Sequence, residues 1–204
     1  MVVRVLATLA AASATLTSGC SSLLTSDVPP ETVYWLESSV PSATRATAAT
    51  ADAPSLTLRL RAAPGLDTDR LLIRGPGATL NSYAGARWAD NLPDVLESVF
   101  RTVLEDSGYF RQVSTAGSGA GTGWYLDLEL HAFFAVVGET RTSPIIEMAM
   151  RGYLACDGST APIRIKSTAT AANGRLTAIA AGFQSAVDAG AATLLEQLSR
   201  LCRQ

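Results

Sequence analysis

The chain holds a single histidine, His131, only three cysteines, and no excess of positive charge: 16 lysines and arginines stand against 18 aspartates and glutamates, a net charge of −2. Each shortage excludes a class of function. Nucleophilic catalysis needs an activated base beside a serine or cysteine, and the one imidazole lies midway along a strand-like stretch. No Gly-x-Ser-x-Gly, His-Glu-x-x-His or Cys-x-x-Cys motif occurs, so we assign no catalytic residue and expect a protein that is not an enzyme. The arginines are scattered among acids, which leaves no basic surplus to neutralise phosphates; nucleic acid is not an expected partner. Beyond the N-terminus no run approaches the ~18 consecutive apolar residues of a spanning helix, so the mature chain should be soluble apart from any anchor.

What is present begins with a targeting segment. Met1 to Arg4 is short and cationic, Val5 to Leu16 is uncharged and rich in alanine and leucine, and residues 1–19 together have the shape of a secretory signal. Leu16-Thr17-Ser18-Gly19-Cys20 looks like a bacterial lipoprotein processing site, in which Cys20 would receive a diacylglyceryl group and become the new N-terminus. The departure is Thr17, where an aliphatic residue is usual; an ordinary secretory signal with an incidental cysteine is the alternative. Two or three acyl chains anchor far more firmly than one. Ser21 stands where an aspartate would signal inner-membrane retention, which points to the outer membrane rather than the inner. Residues 20–31 are polar with Pro29-Pro30 and read as a tether, and 32–204 as a single domain.

Within that domain Thr32 to Leu36 predicts a first strand, and Glu37 to Pro54, almost all Ser, Thr, Ala and Pro, a long loop. Leu56, Leu58 and Leu60 alternate with Thr57, Arg59 and Arg61, the mark of a half-buried strand. Leu71 to Arg74 is a short strand between two turns, and Thr79 to Tyr83 leads on to a helix. That helix is the clearest element: Leu92, Val95, Leu96, Val99, Phe100, Val103 and Leu104 form one stripe, Asp90 or Asn91 can cap it, Pro93 sits in its first turn and Gly108 stops it. Tyr109 to Ser114 returns as a strand. Trp124 to Phe134 then alternates, with Leu126, Leu128, Leu130, Ala132 and Phe134 facing one way and Tyr125, Asp127, Glu129, His131 and Phe133 the other. Two more strands, Ile145 to Leu154 and Ile163 to Thr170, are joined through the turn Asp157-Gly158-Ser159. Leu176 to Arg203 is a second helix, with Ile179, Phe183, Val187, Leu194, Leu198 and Leu201 apolar and its small residues suited to close approach. This order predicts an α/β (α+β) sandwich: a mixed, largely antiparallel sheet with two main helices packed on it.

Several constellations need weighing. The glycine-rich stretch Ala116 to Gly123 is followed by a strand and by no Gly-Lys-Ser/Thr, so it predicts a hairpin loop and not a phosphate cradle. Asp127, Glu129 and His131 project from one strand face, yet Arg151, Arg164 and Lys166 on the following strands are placed to pair with those carboxylates, and paired charges repel a cation; no metal is expected. Cys156 and Cys202 are an even pair in an exported chain, either a disulfide or two separate buried thiols.

The order strand, turn, strand, Arg87-Trp88-Ala89-Asp90, Leu92-Pro93, helix resembles the auxiliary lipoproteins of ABC-type transport systems that work with MCE-domain proteins in Gram-negative envelopes. Tyr34-Trp35-Leu36 and the spacing Phe183, Ala186, Val187 agree with it, and the resemblance runs from about Tyr34 to the C-terminus. It implies a periplasm-facing accessory lipoprotein in the transport of lipids or other hydrophobic molecules, with an MCE protein and its permease and ATPase as partners. The lipid on Cys20 would be the only non-protein group, and no other cofactor is implied. Arg87, Trp88 and the sheet edges would hold the MCE protein or neighbouring copies, although a tryptophan before a core helix is also a natural core residue. A carrier holding a hydrophobic ligand between helices and sheet is the other reading.

Overall fold

The structure, a computed structural model, describes residues 30–38, 52–117, 123–138 and 143–201. The signal segment, Cys20, most of the tether and Cys202 lie outside the described residues. Eight strands form one sheet: β1 (Thr32–Tyr34), β2 (Ser55–Ala62), β3 (Arg70–Arg74), β4 (Leu80–Trp88), β5 (Gln112–Thr115), β6 (Trp124–Val136), β7 (Ile145–Cys156) and β8 (Ser159–Thr170). Two helices, α1 (Leu92–Asp106) and α2 (Leu176–Leu201), follow β4 and β8. The α+β class and the mixed sheet are as expected. The long β6–β7 and β7–β8 ladders are antiparallel, while β1–β4, β2–β5, β2–β6 and β3–β6 are parallel.

Strand β6 is the hub. One flank pairs with β7 along almost its whole length. The other flank is shared, by β2 against Trp124 to Leu130 and by β3 against Ala135 and Val136, so the sheet forks there into a β2–β5 arm and a β3–β4–β1 arm. In the crotch the N–H of Ala63 donates to Leu130 at 2.9 Å, and Leu66 is buried.

At the same place β6 carries a bulge: Leu130 pairs with Met150 but Ala132 with Ala149, leaving His131 as the extra residue. One inserted residue reverses every side chain beyond it. The alternation expected for this strand therefore fails after Leu130: Phe133 joins the helix side, against Trp88 and Phe183, and Phe134 lies on the open side with the Arg74 guanidinium 4.6 Å above its ring. A second difference concerns β4, which does not stop at Tyr83 but continues to Trp88. Of its nine residues only Ala86 and Trp88 are buried, so it shows no apolar alternation to read.

Both helices lie against the sheet and touch each other, α1 over β2 and β5, α2 over β7 and β8. The α1 stripe is buried as its spacing requires, and Gly108 ends the helix in the left-handed region, φ 73°. Ser107, fully buried, donates to the carbonyl of Leu104 at 2.6 Å and accepts from Tyr109 N–H at 3.2 Å, which satisfies groups that a helix end leaves bare. By length and composition α2 is apolar enough to cross a bilayer, but half of its most apolar window is buried inside the fold. Its small residues do bring it close: a Cβ on Gly182 would meet the Ile146 side chain at 3.0 Å, and the Ser167 hydroxyl donates to the carbonyl of Ala186 at 2.6 Å.

Helix side chains also finish the sheet. The Gln197 amide brackets the edge strand β8, donating to the Arg164 carbonyl at 2.7 Å and accepting its N–H at 3.3 Å, which blunts that edge. On β2 the Leu60 N–H is taken by the Glu97 carboxylate at 3.1 Å. Burial pushes the Glu97 carboxyl above its ordinary range, so its stabilising contribution is present when it is protonated and is lost as pH rises through the raised value. Glu97→Gln keeps an acceptor for Leu60 and is expected to raise the urea midpoint at about pH 7, with the gain fading at about pH 3, where the carboxyl is protonated in both states.

Candidate functional site

The N-terminal segment of the domain is stapled at both ends. At its start, Arg70 and Arg87 are direct cross-strand partners, an arrangement that is unfavourable for two like charges. Glu31 resolves it, lying 2.5 Å from Arg70 and 3.5 Å from Arg87, with Asp69 at 3.6 and 3.8 Å from the same pair. At its end, the Gln184 amide on α2 reads the backbone of Glu37 in both directions, accepting its N–H at 2.8 Å and donating to its carbonyl at 2.9 Å. Asp188 holds that amide at 2.8 Å. Between the staples Leu36 is driven into the core and Trp35 is turned outward, 73% exposed, with Val33 beside it 49% exposed.

Next to Trp35 runs a groove of about 360 Å³ along the outer flank of α1. Leu36, Val95 and Val99 supply its apolar part, Ser38, Ser98 and Thr102 its hydroxyls, and Asp90 and Asp94 its acidic side. It is chemically a place for an apolar side chain with a donor or cation nearby. Between helices and sheet Trp88, Phe133 and Phe183 pack ring on ring, with centroids 4.7 to 5.8 Å apart.

The residues singled out in the sequence fall differently. Trp88 is 1% exposed and has no surface to offer a partner. Its neighbour Arg87 is half-buried, bound to Glu31 and Asp69 and donating to the Trp88 carbonyl at 3.2 Å, so it positions the β1 segment. Asp127 is not paired by Arg151, Arg164 or Lys166; it is buried under Arg61 at 2.8 Å and Arg59 at 3.8 Å from β2. Glu129 faces His131 at 3.3 Å. Among the described residues no group of acids, histidines and cysteines is arranged to hold a metal, and no hydrogen bond joins His131 to a serine or cysteine. Arg151, Arg164 and Lys166 are exposed with no carboxylate partner among the described residues. Cys156 is half-buried at the end of β7; burial, then the Asp157 carboxylate, pushes its thiol up. Its expected partner Cys202 lies outside the described residues.

The model of the ABC-type transport auxiliary lipoprotein component family matches residues 34–195. The chain belongs to that family. No curated protein matches its sequence. Among solved structures it is similar to a Xanthomonas campestris protein of family DUF330, 20% identical, with a TM-score of 0.65 over 83% of this chain and 99% of that one. A second crystal structure, of an uncharacterised protein, is 11% identical with a TM-score of 0.61 over the same shares. At these identities the likeness is one of fold. In this auxiliary lipoprotein the matched region opens at Tyr34 and closes in α2, and so takes in Trp35, the groove and the open face of the sheet. Trp35 is the functional candidate that sequence reading missed; an aromatic before a leucine in a β-rich stretch looks like core.

Proposed function

We propose that this auxiliary lipoprotein is the accessory subunit of an MCE-type ABC transport system that moves lipids or other hydrophobic molecules across the Gram-negative envelope. It faces the periplasm, fixed by acyl chains on Cys20 to the outer membrane rather than the inner, and works by gripping the MCE protein of the complex. The observation that carries this reading is Trp35: a large aromatic held outward on a doubly stapled segment beside an apolar groove with an acidic side. Buried aromatic anchors of this kind dominate protein interfaces. Self-association through sheet edges would use β1 or β5, because Gln197 already occupies β8. A Cys156–Cys202 bridge would tie β7 to the end of the last helix. The groove beside Trp35 lies on the outer flank of α1, where a partner can reach it, which favours docking over carriage.

The test is affinity purification of the anchored protein with the MCE protein of its own host. Co-purification is expected, and Trp35→Ala should weaken it about 30-fold, the factor that a hot-spot residue of about 2 kcal/mol carries. A Trp35→Ala protein that still captures the MCE protein at full strength, or a wild type that captures none, overturns the proposal.

A further inference from the structure

We infer that the open face of the sheet is a second docking surface, for a bilayer displaying anionic phospholipid headgroups. Three exposed cations carry it. Arg151 on β7 and Arg164 on β8 are direct cross-strand partners, and Lys166 lies two residues from Arg164 on the same face. Like charges directly opposite each other destabilise a sheet. Glu129 stands across the β6–β7 ladder from Arg151, but among the described residues no ion pair joins a carboxylate to any of the three. The face holds more cations (Arg59, Arg61, Arg74, Arg151, Arg164, Lys166) than acids (Asp127, Glu129, Glu147). In a chain whose acids outnumber its cations 18 to 16, that arrangement is not forced by a lack of counter-charge. Glu129 offsets Arg151 alone, and an anionic ligand would answer the positive charge that remains on the face.

The surroundings favour a surface over a small anion. Tyr153, next to Arg151 on the same face, is 41% exposed, and its ring lies 6.3 Å from that of Tyr125, so amphipathic rings sit at the level of the cations, as they do at membrane interfaces. The opposite layer is acidic in balance: Asp94, Glu105 and Asp106 are exposed on α1 against Arg101, which pairs with Glu105 at 3.8 Å. A molecule with a cationic sheet side and an acidic helix side turns its sheet toward an anionic plane and its helices, with the Trp35 groove on the flank of α1, toward other proteins. The geometry of the anchor allows it. The chain from Cys20 to Glu31 reaches at most about 36 Å, more than the roughly 24 Å spanned by the five strand spacings from β1 to β8. The inference rests on the lipoprotein family and on the sheet face and does not require an MCE partner.

The experiment uses the mature chain with Cys20→Ser, which removes the acyl anchor so that only the folded part reports, sedimented with phosphatidylcholine vesicles with and without phosphatidylglycerol. Binding to the anionic vesicles alone is expected, falling as salt rises. Replacing Arg151, Arg164 and Lys166 together by Gln should lower the partition on the order of 100-fold, and each single replacement roughly fivefold; the single variants decide the matter if the triple one fails to melt cooperatively. Asp106→Asn, on the far layer and outside the groove, should not reduce binding. Equal binding to neutral vesicles, or undiminished binding by the variants, overturns the inference. So does a wild type that ignores vesicles but self-associates in a manner the triple variant abolishes, for the cations would then serve the acidic helix side of a second copy.

Discussion

Gly152→Ala is expected to leave the protein largely unfolded, with no cooperative thermal transition where the wild type shows one. Gly152 lies on β7 opposite Leu128 of the hub strand, and a Cβ there would stand 1.7 Å from the carbonyl oxygen of Asp127, 2.8 Å from its carbon and 3.0 Å from the Cα of Leu128. All three atoms are backbone, so no rotamer change relieves the contact; the two strands must part. Parting them breaks one of the two long antiparallel ladders of the sheet and exposes Leu126, Leu128 and Leu154. Single substitutions that cost more than about 4 kcal/mol have causes of this kind, and a whole domain is stable by only about 5–15 kcal/mol. Gly190 on α2 is the internal comparison. There the Cβ would meet the end of the Met148 side chain, Cε at 2.4 Å, and methionine moves readily. The helix also gains about 1 kcal/mol when glycine becomes alanine, so Gly190→Ala should change the melting point little.

The second large effect is at Trp88. Its ring joins three elements, meeting Phe133 of β6 at 5.8 Å and Phe183 of α2 edge-on at 5.2 Å, interplanar angle 88°, while itself ending β4. Trp88→Ala empties that junction and should cost about 3–5 kcal/mol by the transfer and cavity terms alone. The loss of the ring contacts adds about 0.5–1.5 kcal/mol. Trp88→Phe is expected to retain most of the stability, for a reason peculiar to this site. The indole Nε1 is buried with no hydrogen-bond acceptor among the described residues, so phenylalanine removes an unsatisfied donor along with the lost ring area. Denaturant unfolding of the two variants checks the ordering; a phenylalanine variant as unstable as the alanine one would show that the indole N–H is in fact satisfied.

How much of this was legible before the fold was known depended on whether the signal is local. The α1 stripe, the alternation of β2, β7 and β8, and the Asp157-Gly158 turn are carried by residues within a few positions of one another, and each stands where expected. Strand β4 was legible only in part, because a strand that buries only two of its nine residues needs no apolar alternation. The reversal at His131 is invisible in sequence, since a bulge is set by what flanks the strand, here the handover from β2 to β3. The charge pairing was misplaced for a related reason. Asp127 takes its arginines from 66 and more positions upstream across a parallel ladder, so the neighbours that follow it in sequence are left without it. The same non-locality hides the site. What turns Trp35 outward is a glutamine 147 positions away from Glu37 and an ionic knot around Glu31, neither of which has a motif.

The staple at Glu31 also decides what happens when the protein is pulled. A tug arriving through the N-terminal leash acts along β1, which runs parallel to β4, so the ladder from Thr32 to Tyr34 is loaded in shear, with its rungs sharing the load. Ahead of it stand the ion pairs of Glu31 with Arg70 and Arg87, and behind it the Gln184 grip on Glu37. Three fasteners in series at a short edge strand give this domain a mechanical stop: tension arriving from its N-terminal side is spent at the rim of the sheet before it reaches Trp88 and the rings beneath it.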